Sequence, residues 1–152
     1  MTEVAKFEKP WAMAFLPDGR LLITERRGDL LLLSADGTQD KVSGVPAVNF
    51  GGQGGLGDVV LHPAFDDNQL VYFSYAEAGD GASGAVVARG RLQLDRSPAG
   101  LTDVEIIWRQ YPKVSGRGHY GHRIAFGPDG YLYISSGERQ KFDPAQDMQG
   151  NL

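Results

Sequence analysis

The chain has 152 residues, 41% of them apolar and 22% charged, a balance that belongs to a folded globular protein and excludes a disordered one. Its net charge of −4, with lysines and arginines scattered, excludes a basic surface built for nucleic acid or an anionic membrane. The absence of cysteine excludes disulfides, zinc-thiolate sites and cysteine nucleophiles.

No apolar run approaches the roughly 18–20 residues of a membrane span. The opening segment MTEVAKFEKPW carries no apolar stretch of the kind found in a secretion leader. Twenty-one glycines are about twice ordinary usage, and they stand at punctuation points, as turns in an all-β protein require.

The first predicted strand pair flanks the turn in AFLPDGRLLIT (14–24). Proline fixes φ at the second position of such a turn, and glycine supplies the positive φ at which the chain reverses. A strand LLLLS (30–34) follows the turn Arg27-Gly28-Asp29, and a short strand near Lys41–Val45 follows Ala35-Asp36-Gly37. The second unit contains DVVLH, LVYFSY, AVVARGRLQL and DVEIIWRQY. Its stretch VVLHPAFDDNQLVYFSY (59–75) is a looser copy of the first hairpin, with Pro63 in the place of Pro17. The third unit offers RIAFG and YLYISSG, and its AFGPDGYLYIS (125–135) repeats the first hairpin closely, with Pro128 at the turn.

No segment shows a capped helix of 3.6-residue period. Four-stranded units recurring along a chain are the signature of propeller blades. The expected fold is all-β, with blade one at about 11–46, blade two at about 58–111 and the start of blade three at about 118–152. A propeller closes with about four blades or more, so about two and a half imply the N-terminal part of a longer propeller, or several copies assembling. Gln149-Gly150-Asn151-Leu152 reads as an end inside a loop.

Several apparent motifs dissolve in context. Gly52-Gln53-Gly54-Gly55-Leu56-Gly57 satisfies GxGxxG, but a dinucleotide fingerprint must open a helix and Asp58-Val59-Val60-Leu61 reads as a strand. Arg27-Gly28-Asp29 sits where a hairpin turn is needed, and His62 before Pro63 reads as a turn residue. No carboxylate pair or metal-ligand spacing stands out, and no metal ligand is assigned to this part of the chain.

His119 and His122 lie in the glycine-rich entry to the third unit, Ser115-Gly-Arg-Gly-His-Tyr-Gly-His-Arg123. His119 lies nine residues before Pro128 and Gln53 ten before Pro63. Both therefore fall in the loop entering the innermost strand of successive units, at one mouth of the central channel. Two polar groups converging there make a ligand site.

The ordered set Trp11–Arg26, Gly51-Gly-Gln-Gly-Gly-Leu-Gly57, Leu61-His-Pro-Ala-Phe65, Gly118-His-Tyr-Gly-His-Arg-Ile-Ala-Phe-Gly-Pro-Asp-Gly130 and Ser136-Gly-Glu138 resembles the soluble PQQ-dependent aldose sugar and glucose/sorbosone dehydrogenases. The resemblance implies a six-bladed propeller that oxidises an aldose to its lactone, with PQQ and calcium as cofactors and a separate electron acceptor. It implies that His119 is the general base, taking the anomeric hydroxyl proton as hydride passes to the quinone. An imidazole, with an ordinary pKa of about 6.5, suits that task near neutral pH. It implies that Gln53 contacts substrate and cofactor and that Gln140 lies on the cofactor side; His122, where glucose-specific members carry a glycine, is expected to shape the substrate pocket or to stack on its rim.

Gly118 stands where glucose-specific members carry an acidic residue, which favours the aldose-sugar subgroup. The family's calcium ligands and basic PQQ clamp are expected beyond this chain, so the 152 residues alone are expected to be inactive. A periplasmic or secreted location follows from the resemblance alone. The alternatives are a non-catalytic propeller module binding carbohydrate or a protein partner, and an unrelated lactonase-like propeller, which would need a ring of metal ligands.

Overall fold

The computed structural model describes residues 3–149. The residues Gly150–Leu152, which close the third expected unit, lie outside the described residues, as do Met1 and Thr2. Among the described residues ten strands form three antiparallel sheets in chain order. The first contains β1 (Pro10–Phe15), β2 (Leu21–Glu25), β3 (Leu30–Leu33) and β4 (Gln39–Lys41). The second contains β5 (Leu56–Leu61), β6 (Leu70–Gly79), β7 (Ala82–Gln93) and β8 (Gly100–Arg109). The hairpin β9 (Gly121–Phe126) and β10 (Leu132–Ser136) forms the third. The first strand of each sheet lies beside that of the next, β1 against β5 and β5 against β9.

The two Pro-Asp-Gly turns repeat each other bond for bond. Leu16 N–H donates to Arg20 O at 2.8 Å and Gly127 N–H to Tyr131 O at 2.9 Å. Asp18 and Asp129 each accept the backbone N–H two residues on, and Gly19 and Gly130 take φ of +88° and +82°. In the looser copy a four-residue helix, α1 (Phe65–Asn68), fills the turn, and Gln69 at φ +56° makes the reversal instead of glycine. His62 serves that turn, its Nδ1 accepting the Ala64 N–H at 3.0 Å.

Alternation along each strand sends successive side chains to opposite faces. On β6, Val71, Phe73 and Tyr75 face the first sheet and pack with Leu22, Leu30, Leu32, Leu56 and Val59. Tyr72 faces the other way and packs with Val87 and Ile124 against the third sheet. Both faces are buried, so these strands read as nearly unbroken apolar runs. Each fully buried aliphatic or aromatic side chain contributes about 1.5–3 kcal/mol.

The fourth strand is shifted from the expected Lys41–Val45. Past Val42, whose N–H still donates to Leu30 O, the chain leaves its own sheet: Ser43 N–H donates to Ala99 O and Ser43 O accepts the Leu101 N–H at 2.8 Å. Ser43 thus ties the first sheet to the second, a non-local pairing without a local sequence signal.

Each of β1, β5 and β9 carries one extra residue near its start, a bulge relative to its partner strand. Trp11, Gly57 and His122 occupy the same place in the three bulges, each six residues before the turn proline. They meet in space. The Trp11 and His122 rings lie 6.0 Å apart edge to face, and a Cβ on Gly57 would come within 2.8 Å of His122 Cγ. Glycine at 57 is therefore what admits the imidazole.

Candidate functional site

Two glycine-rich loops, 49–55 ahead of β5 and 115–120 ahead of β9, are interlocked at one end of the sheets. Gln53 N–H donates to Arg117 O at 2.7 Å. A Cβ on Gly52 would collide with that same Arg117 carbonyl, so residue 52 must be glycine for the loops to touch. In return the Gln53 side-chain oxygen accepts the His119 backbone N–H at 2.7 Å. The structure thus brings together the two residues that the repeat places at one channel mouth.

Gln140 joins them. Its exposed side chain lies against Gly118, where a Cβ would come within 2.6 Å of Gln140 Cδ. The Gln140 amide fills the space that a side chain at position 118 would need.

His122 stands apart. Its side chain turns into the seam between sheets, 4% exposed, stacked on Tyr120 at 5.2 Å. Both ring nitrogens are enclosed without a hydrogen-bond partner among the described residues. Burial pushes its pKa down to about 4, with the nearby Arg139 and Arg26 acting in the same direction.

The residue that sequence reasoning passed over is Glu138, although it sits in the quoted Ser136-Gly137-Glu138. Its Oε1 accepts from His119 Nδ1, and Oε2 accepts the backbone N–H groups of Lys141 and Phe142. The His119 hydrogen bond, ahead of the Phe142 and Lys141 N–H groups, holds the Glu138 carboxyl below the usual range. A carboxylate on Nδ1 fixes the tautomer with the proton there and leaves the Nε2 lone pair outward. The His119 side chain is 44% exposed and the Glu138 side chain 17%, so the imidazole faces solvent while its anchor is half-buried. The available signal was a carboxylate at the end of the strand paired with β9.

The arrangement is a polar row: Gln53 oxygen to His119 backbone, His119 Nδ1 to Glu138, with His119 Nε2 and the Gln53 amide nitrogen without partners among the described residues. It can take a proton and donate a hydrogen bond at neighbouring points. Among the described residues no three His, Asp or Glu side chains group to hold a metal ion, and no helix is long and apolar enough to cross a membrane.

The glucose/sorbosone dehydrogenase family model matches residues 7–152. The chain is 45% identical to the aldose sugar dehydrogenase YliI of Escherichia coli K12 over 97% of its own length and 41% of that protein's. It superposes with a TM-score of 0.90 on a solved glucose dehydrogenase at 42% identity, covering 95% of this chain and 42% of that one. With the PQQ-bound aldose sugar dehydrogenase of Streptomyces coelicolor the TM-score is 0.87 at 30% identity, covering 99% and 44%. The chain therefore spans about two fifths of the length of the relatives it matches. It belongs to the glucose/sorbosone dehydrogenase family.

Proposed function

We propose that this chain carries the base-bearing part of a PQQ-dependent aldose dehydrogenase, a six-bladed propeller whose remaining blades complete the site. The observation that carries the reading is the hydrogen-bonded row Gln53–His119–Glu138 with His119 Nε2 directed outward. The PQQ-bound relative supports the choice of cofactor.

The residues on hand suit a quinone cofactor and a sugar. The free amide nitrogen of Gln53 donates to an oxygen of substrate or cofactor, since its own oxygen is already committed to His119. His119 Nε2 takes the proton of the anomeric hydroxyl as the C1–H bond breaks and the lactone carbonyl forms. Glu138 steadies the imidazolium that results. PQQ, when bound, supplies the two-electron sink. Among the described residues no three carboxylate or imidazole side chains group to hold a metal ion, and the calcium ligands are proposed to lie in the remaining blades. Gly118 stands in place of the acidic residue of glucose-specific relatives, with the Gln140 amide in the space beside it, which supports a broader aldose specificity. Action in the periplasm or outside the cell, with an external electron acceptor, is part of the same proposal.

The test is reconstitution of the complete protein with PQQ and calcium, followed by dye reduction over a panel of aldoses. Sugar-dependent turnover is expected, with none from residues 1–152 alone. Absence of both turnover and retained quinone absorbance sinks the enzyme reading and leaves a propeller that binds carbohydrate or a protein partner.

A further inference from the structure

Arg139 follows Glu138 in the chain, and its side chain is fully enclosed, 0% exposed. A guanidinium withdrawn from water must place its N–H groups on acceptors. Nε donates to Gly118 O at 2.8 Å. Nη2 donates to Gly116 O at 2.7 Å and to Ser83 Oγ at 3.1 Å, and Nη1 donates to Ser83 O. The guanidinium carbon lies 3.7 Å from the centre of the Tyr120 ring.

All four acceptor atoms are neutral, and among the described residues no carboxylate pairs with Arg139. Burial therefore holds its pKa below the usual arginine range. An apolar side chain of similar volume would fill the space without that cost. The positive charge is directed at the loop that carries His119.

The peptide between Gly118 and His119 is held at both ends. Its carbonyl accepts from Arg139 Nε, and its N–H donates to Gln53 Oε1. A carbonyl bonded to a cation polarises its peptide and makes the N–H a stronger donor. His119 has φ +48°, a left-handed conformation disfavoured for a residue with a side chain, so the peptide must be held from outside. The main-chain N–H of residue 139 holds the next peptide, donating to His119 O at 3.2 Å.

We propose that Arg139 is a positioning residue of this site, acting through the Gly118–His119 peptide on both the His119 imidazole and the Gln53 amide. The inference rests on the dehydrogenase reading for what those two groups then do. A lysine cannot substitute, because its single ammonium cannot reach Gly116, Gly118 and Ser83 together.

The test uses Arg139→Lys, Gln53→Ala and the double variant in the complete protein, with Arg139→Gln as a second probe should the lysine variant fold poorly. In the PQQ-loaded enzyme, Arg139→Lys should lower kcat by about 10–100-fold with KM for the sugar changed less than about 3-fold. In the Gln53→Ala background the same change should cost several-fold less than in the wild type, since only the imidazole, and no longer the Gln53 amide, depends on that peptide. In the cofactor-free protein, hydrogen exchange at the His119 amide should quicken by roughly 10-fold or more in both single variants. Independent, multiplying effects on kcat overturn the proposal, and so does unchanged His119 exchange in Arg139→Lys. The exchange measurement needs neither cofactor nor sugar. Faster exchange in a protein that oxidises no aldose supports the clamp and tells against the dehydrogenase reading alone.

Discussion

The side-chain oxygen of Gln53 accepts the backbone N–H of His119 at 2.7 Å, across 66 residues of sequence. The two belong to loops that enter neighbouring inner strands, β5 and β9. The bond orients the amide so that its nitrogen is left to donate, a few atoms from the imidazole. The proposed base and the proposed donor, on separate loops, thus share one fixed geometry, which is what proton abstraction from an oriented substrate requires.

Replacing His119 by Gln keeps a polar side chain of similar reach and removes the base. In the reconstituted enzyme kcat should fall by about 10²–10⁴-fold, while the absorbance of bound PQQ is retained. Activity surviving the change would show that another group takes the proton.

Glu138→Gln tests the anchor. An amide can still contact Nδ1, but it no longer carries the charge that steadies a protonated imidazole or accepts as strongly from the Lys141 and Phe142 N–H groups. A fall in kcat of roughly 10-fold or more is expected, with KM nearly unchanged, because such an interaction strengthens as the proton arrives. Steady-state kinetics on one aldose decide it, and an unchanged kcat removes Glu138 from the mechanism.

Two glycine substitutions should separate backbone strain from collision. Gly130 sits at φ +82° with open space where a Cβ would go, so Gly130→Ala should cost about 1 kcal/mol from conformation alone. A Cβ at Gly137 would instead collide with the His119 carbonyl. Gly137→Ala should therefore displace the loop and reduce kcat far more than Gly130→Ala does. Thermal unfolding and turnover measured together for the pair show whether the loop responds as stated.

The buried imidazole of His122 predicts an acid-sensitive stability. An unfolded histidine titrates near ~6.5, whereas burial holds His122 at about 4 in the folded protein. Between those values the unfolded chain binds a proton that the folded chain does not. The unfolding free energy should therefore decline as pH falls from about 6.5, by about 3 kcal/mol when pH 4 is passed. Urea titrations at pH 7 and pH 4.5 should show the drop in the wild type and a shallower one in His122→Phe. Equal losses in both would assign the acid sensitivity to other groups.

Much of this was legible from the chain, for identifiable reasons. Pro17-Asp18-Gly19 and Pro128-Asp129-Gly130 announce their turns because each residue type serves one dihedral or one hydrogen bond there. The nearly equal spacing of Gln53 and His119 from their prolines, ten and nine residues, carried over to a direct contact because the sheets repeat. Glu138 was passed over although a carboxylate closing that hairpin was visible, and Arg139 was not legible. Arg139 and Gln140 take positive φ, at +56° and +60°, so local sequence preference gives no hint of how this stretch wraps the 115–119 loop. Ser43 was missed for a related reason, since its partners Ala99 and Leu101 lie in another sheet.

The extra residue at the start of β1, β5 and β9 has a wider meaning. Downstream of it, every strand keeps the alternation that fills the core. Upstream, the chain is free to change course before reaching its loop. One position per repeat can therefore vary, as Trp11, Gly57 and His122 do, without altering the ladder that all three copies share. Repeated units built this way can differ at their loop ends while the framework below stays uniform. Deleting a single residue there would reach further than most point substitutions, because it would turn every side chain between the loop and the bulge to the opposite face.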